Sequence, residues 1–116
     1  MADLRKVSIF VPIADVGTAE TLIVPITEHN EGQILRITHV LGGAITSADS
    51  KIVISKSGTV LTGGTITVAY TSSAAGDVDY IAPSNVFVKA GDYITVSNGG
   101  ESTGAAAGGV IIDIAR

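Results

Sequence analysis

Apolar and polar residues alternate along most of this chain with a period of two. In "VSIFVPI", Val7, Ile9, Val11 and Ile13 fall on one side, with Ser8, Phe10 and Pro12 on the other. That is the period of a half-buried β-strand. In "TLIVPIT", Leu22, Val24 and Ile26 share a face. Pro25 points the other way and has no N–H for a ladder, which predicts an edge strand. In "GQILRITHVLGG", Leu35, Ile37, His39 and Leu41 share one face, and Ile34, Arg36, Thr38 and Val40 take the other. Further short runs surround Ile52 and Ile54. Others carry Ile66, Val68 and Tyr70 on an inward face, Val86 and Val88 opposite Phe87, Ile94 with Val96, and Val110 with Ile112 and Ile114.

These runs predict about eight strands, rich in β-branched residues and separated by glycine turns such as Ser57-Gly58, Gly91-Asp92 and Gly99-Gly100. No segment has the i, i+3, i+4, i+7 spacing of a core-facing helix. Residues 71–85 read as the longest polar link. The expected fold class is all-β: an antiparallel β-sandwich, jelly-roll-like, forming a single domain over residues 1–116.

Composition sharpens this picture in one respect. Hydrophobic residues make up 46% of the 116, but aromatics only 4% and charged residues only 16%. The charged share of an ordinary globular domain is about 25%. Part of the surface is therefore expected to be apolar and covered by partner subunits. The 7 Lys and Arg against 11 Asp and Glu leave a net charge of −4. No basic cluster exceeds Arg5-Lys6, so neither a nucleic-acid nor a membrane partner is expected. No run approaches the ~18 apolar residues of a membrane span. The start of the chain loosely resembles a secretory leader, but Asp3, Ser8 and Pro12 interrupt the pattern, and a first strand is expected there instead.

Candidate chemistry is sparse. Cys is absent and His occurs twice. His29 and His39 lack the one-residue separation that would project two imidazoles from one strand face onto a metal. His39 is expected to be a hydrogen-bonded core residue, and His29 to be solvated in a turn. Asp77 and Asp79 could be an acid/base or calcium pair, but read as a solvated loop. No G-x-S-x-G elbow accompanies the abundant serines. "GGESTGAAAGG" lacks the G-K-[ST] ending and the following helix of a phosphate loop. Its small side chains Ala105, Ala106 and Ala107 are instead expected to let backbones approach at a subunit interface. No catalytic residue, metal or cofactor is expected.

"VFVKAGDYITVSNGGESTG" followed by "GGVIIDIAR" resembles the closing strands of small trimeric jelly-roll proteins, where an A-G-D turn launches the penultimate strand. The whole chain is similar in pattern to tailed-phage capsid decoration, or cement, proteins. The resemblance implies a non-enzymatic virion protein, a homotrimer on the outer capsid surface that clamps neighbouring major capsid protein subunits. It further implies that residues 1–6 form an arm whose Leu4, Arg5 and Lys6 reach the capsid. Two other classes remain open. One is a receptor- or glycan-binding head domain, which needs an exposed polar pocket. The other is a cupin-like enzyme, which needs the missing His pair.

Overall fold

The computed structural model describes residues 6–100 and 106–115. They form nine strands: β1 (Lys6–Ile13), β2 (Glu20–Pro25), β3 (Gly32–Leu41), β4 (Ser50–Lys56), β5 (Thr59–Val68), β6 (Val78–Ile81), β7 (Phe87–Val88), β8 (Tyr93–Asn98) and β9 (Gly108–Ala115). Two antiparallel sheets face each other. The first runs β1-β9-β3-β6, with β7 also on β3, and the second runs β2-β8-β4-β5.

The pairing has a simple logic. β4 pairs with β5, β3 with β6 and β7, β2 with β8, and β1 with β9. Each pair encloses the one before it. The chain is thus one long hairpin, with its tip at Ser57-Gly58, wound so that successive pairs fall in alternate sheets. That winding is the jelly roll. At the tip, Ser57 and Gly58 both take positive φ (47° and 91°), as in the two-residue turns whose twist matches a hairpin. Pro25 lies on β2, an edge strand, where its missing N–H leaves no ladder bond unmade.

The core is aliphatic. Ile13, Ile34, Ile37, Leu41, Ile52, Ile54, Ile66, Ile94, Ile112 and Ile114 are all at most 1% exposed. None of the two Phe and three Tyr is buried; their exposure runs from 38% for Tyr93 to 64% for Phe10. The jelly roll fills its interior with β-branched side chains, which pack well on a pleated surface, and leaves its rings outside.

Four sequence expectations need correction. Ile34, not Leu35, faces the core, because the β3–β9 register shifts between Ile34 and Arg36. The bulge changes the phase of the alternation, so one strand carries two phases. Tyr70 lies beyond the end of β5 and is 42% exposed, not inward. Residues 71–85 are not a plain link, for they contain β6. Asp79 accordingly sits on a strand, half-buried, opposite His39 in the β3–β6 register.

The end of the sandwich where β1 leads into β2 is held by one side chain. Asn98, 3% exposed at the end of β8, donates from Nδ2 to the carbonyls of Asp15 (3.2 Å), Val16 (2.9 Å) and Thr18 (3.0 Å). Its Oδ1 accepts from the Ser50 hydroxyl (3.1 Å) and the Gly100 N–H (3.4 Å). Asp15 caps the same loop by accepting from the Gly17 N–H and the Thr18 hydroxyl, which hold its carboxyl below the usual range.

Candidate functional site

The two outer faces of the sandwich differ in kind. On the second sheet, the outward positions of β2, β8, β4 and β5 include Thr21, Ser97, Thr95, Ser55, Thr65 and Thr67. It is a hydroxyl surface, interrupted by Ile23, Val53 and Tyr93. On the first sheet, cross-strand register lines up Phe10, Ile111, Thr38 and Tyr80 in one row. Pro12, Gly109, Val40 and Val78 form the next row. Phe87 stands beside Gln33 on the same face. Phe10, Tyr80, Phe87 and Val78 are each at least 57% exposed. Three of the chain's aromatic rings therefore share one open face.

The rings are held in place. Phe10 lies across Gly109, where a Cβ would sit only 2.5 Å from the ring. A side chain at 109 would lift the ring off the sheet. Arg36 sets its guanidinium over Tyr80, 4.5 Å from the ring centroid, a cation–π contact.

Charge frames the apolar rows at one end. Lys6, Arg36 and Asp113 surround a depression of about 410 Å³, and the Ser8 hydroxyl donates to Asp113 at 2.5 Å. At the other end, Phe10, Val40, Ala107 and Gly109 line a shallow apolar depression of about 230 Å³. An apolar centre with a charged rim, carrying Tyr, Phe and Arg, is the anatomy of a protein interface.

The residues singled out from the sequence fall as follows. Lys6 and Ala107 lie at opposite ends of this face. Ala106 is 5% exposed within the subunit's own core, and its carbonyl accepts from the Val16 N–H at 2.8 Å. Its small side chain is used inside the subunit. Leu4, Arg5 and Ala105 lie outside the described residues. The sequence reading missed Phe10, Tyr80 and Phe87 as a group. Phe10 and Phe87 were outward residues of their own strands and Tyr80 fell in the polar link, and only the strand order sets them on one face.

His29 is solvent-exposed in the β2–β3 turn, near Glu28. His39 is fully buried, and neither ring nitrogen has a hydrogen-bond partner, which corrects the expectation of a satisfied core histidine. Its Nε2 lies against Gly108, where an added Cβ would come within 2.5 Å. Burial lowers its pKa to about 4. Asp79 moves the opposite way: burial, and then the neighbouring charge of Asp77, raise its pKa. Among the described residues, no three His, Cys, Asp or Glu come together as a metal site would need.

No protein-family model matches this sequence, and no curated protein matches it. Solved structures do. The catalytic unit of a thermostable GH87 α-1,3-glucanase from Streptomyces thermodiastaticus superposes on 99% of this chain and 26% of its own, with a TM-score of 0.53 and 13% identity. The Agl-KA catalytic domain matches 98% of this chain and 26% of its own, with a TM-score of 0.51 and 8% identity. The chain thus spans about a quarter of the length of these two proteins. Eiger TNF from S. frugiperda matches 94% of this chain and 92% of its own, with a TM-score of 0.47 and 12% identity. At such identities the likeness is one of fold, and the fold is an all-β sandwich of the jelly-roll kind.

Proposed function

We propose that this protein is a non-enzymatic structural subunit that associates with copies of itself through the outer face of its first sheet. The assembly is a homotrimer, and it decorates the outer surface of a phage capsid and stabilises it by gripping the major capsid protein. The observation that carries the self-association is the placement of Phe10, Tyr80 and Phe87 on one open face while the core holds no Phe or Tyr. Rings left in water are costly by about 25 cal/mol per Å² of apolar surface. A covered face recovers that cost. The capsid setting rests on the resemblance of the closing strands to decoration proteins, with residues 1–6 as the contact to the coat, although Lys6 itself is the first residue of β1 and not part of an arm.

Light scattering on a sizing column tests the assembly. The native chain is expected to elute as a trimer at micromolar concentration. The double variant Phe10→Glu/Tyr80→Glu is expected to elute as a monomer, because it places two carboxylates in the centre of the contact. Ile23→Glu, on the hydroxyl face of the other sheet, is the control and keeps the native mass. A native monomer, or a double variant that still forms a trimer, defeats this reading. For the capsid role, trimer lacking residues 2–6 is expected to lose binding to expanded phage heads, and full occupancy without them removes the arm from the contact.

A further inference from the structure

The sandwich carries a second built feature, on residues that take no part in the aromatic face. Between Val53↔Thr65 and Ser55↔Val60 the β4–β5 ladder skips, so residues 61–64 of β5 bulge out opposite Ile54 alone. Bulges of this kind re-aim side chains and recur beside binding sites. Here the bulge forms one wall of a cleft of about 510 Å³. The turn leading from β6 into β7 forms the other, with Asn85 held at φ 57°. The volume lies within the roughly 300–1,000 Å³ usual for small-ligand clefts.

The lining has a definite chemistry. Thr59, Thr62, Ser84 and Asn85 face it, and among the described residues none of these four side chains has a hydrogen-bond partner in the protein. Hydroxyl and amide groups both donate and accept. Leu61 and Val86 supply an apolar backing. The one ionic group on the wall, Lys56, lies 3.9 Å from the Asp92 carboxylate, so its charge is compensated. Unmatched donors and acceptors, apolar backing and no net charge fit a polyol with a C–H face. They do not fit an anion, which would need uncompensated cations.

We infer that this cleft binds a neutral mono- or disaccharide. No ring lines the cleft to stack on the sugar, so the affinity is in the millimolar range. The site is independent of the assembly reading, since it shares no residue with the aromatic face.

The test is a titration of the isotope-labelled full chain, followed by its amide NMR spectrum. The probes are glucose, galactose, mannose and N-acetylglucosamine, with inorganic phosphate in a separate series. At least one sugar is expected to move the amides of residues 57–62 and 84–86 saturably, and phosphate to leave them in place. Thr62→Ala and Asn85→Gly each are expected to weaken that sugar by about three- to tenfold. Asn85→Gly removes the amide without straining the backbone, because glycine accepts positive φ. Unchanged thermal midpoints show that the variants fold. The proposal is overturned if no sugar shifts these amides, if Thr62→Ala and Asn85→Gly both bind as the native chain does, or if phosphate perturbs the cleft more than any sugar. The monomeric Phe10→Glu/Tyr80→Glu protein is expected to bind the sugar as the native chain does, so the two readings fail separately.

Discussion

Asn98→Ala is expected to cost roughly 2–4 kcal/mol, a large share of the 5–15 kcal/mol that holds a domain folded. The reason lies in how many groups depend on one amide. Three carbonyls of the β1–β2 loop, those of Asp15, Val16 and Thr18, accept from its Nδ2. Ser50, fully buried, donates to its Oδ1. Alanine removes these bonds at once; the Asp15 carbonyl keeps the Thr18 N–H and the Val16 carbonyl the Ser50 hydroxyl, and each buried group left unmet costs about 1–3 kcal/mol. Asn98→Asp keeps the shape but turns the donor into an acceptor facing three carbonyls, so it is expected to do at least as much damage at neutral pH. Ser50→Ala removes one donor and should cost about 1 kcal/mol. Urea unfolding measures all three. A loss below about 1 kcal/mol for Asn98→Ala would mean that the loop carbonyls simply turn to water.

Acid should weaken the protein well above the carboxylate range. His39 titrates at about 4 in the folded chain against 6.5 when unfolded, because burial disfavours its charged form. Between those values the unfolded chain binds a proton that the folded chain does not. Stability is therefore full above pH 6.5, falls as the pH drops towards 4, and has then lost about 3 kcal/mol from this one residue. The carboxylates act lower on the scale. Asp79, raised by burial and Asp77, takes up its proton more readily when folded, and so offsets part of the loss there. Asp15, lowered by its loop hydrogen bonds, adds to the loss below the usual carboxylate range. His39→Leu separates the terms. It is expected to flatten the 6.5 to 4 window and to raise stability at neutral pH by about 1–2 kcal/mol, since it removes a buried polar ring without a partner. Urea midpoints at pH 7 and 4.5 decide the matter. An unchanged pH slope in the leucine variant would place the acid sensitivity elsewhere.

Much of the strand pattern was legible because the core wants aliphatic side chains at every second position. Ile52, Ile54, Ile94, Val96, Val110, Ile112 and Ile114 all face inward as their alternation predicts. The pattern failed where the backbone departs from strict period two. The bulge at Leu35 exchanged the faces of β3 only ahead of it, at Ile34, and Tyr70 continued an alternation whose strand had already ended. β6 escaped notice because it is four residues long and carries Asp79 between its apolar positions. In the sequence Asn98 is simply the residue before the Gly99-Gly100 turn. Its partners lie some eighty positions away in the chain, and no local signal marks a bond of that span. The aromatic face was illegible for a related reason. Phe10, Tyr80 and Phe87 come to share a face only after β1, β9, β3, β6 and β7 have taken their places in the sheet.

The nested hairpin also sets a timetable for synthesis. The ribosome delivers β1 first and β9 last, yet these two strands pair along their whole length. Until β9 emerges, the apolar edge of β1 has no mate. The tip at Ser57-Gly58 can zip early, because β4 and β5 are adjacent in sequence, but the outermost closure must wait until all the strands from β2 to β9 have emerged. Such far-separated pairing is slow, and the waiting strand is open to wrong partners. Crowded polysomes making many copies of this chain therefore place unmated first strands side by side.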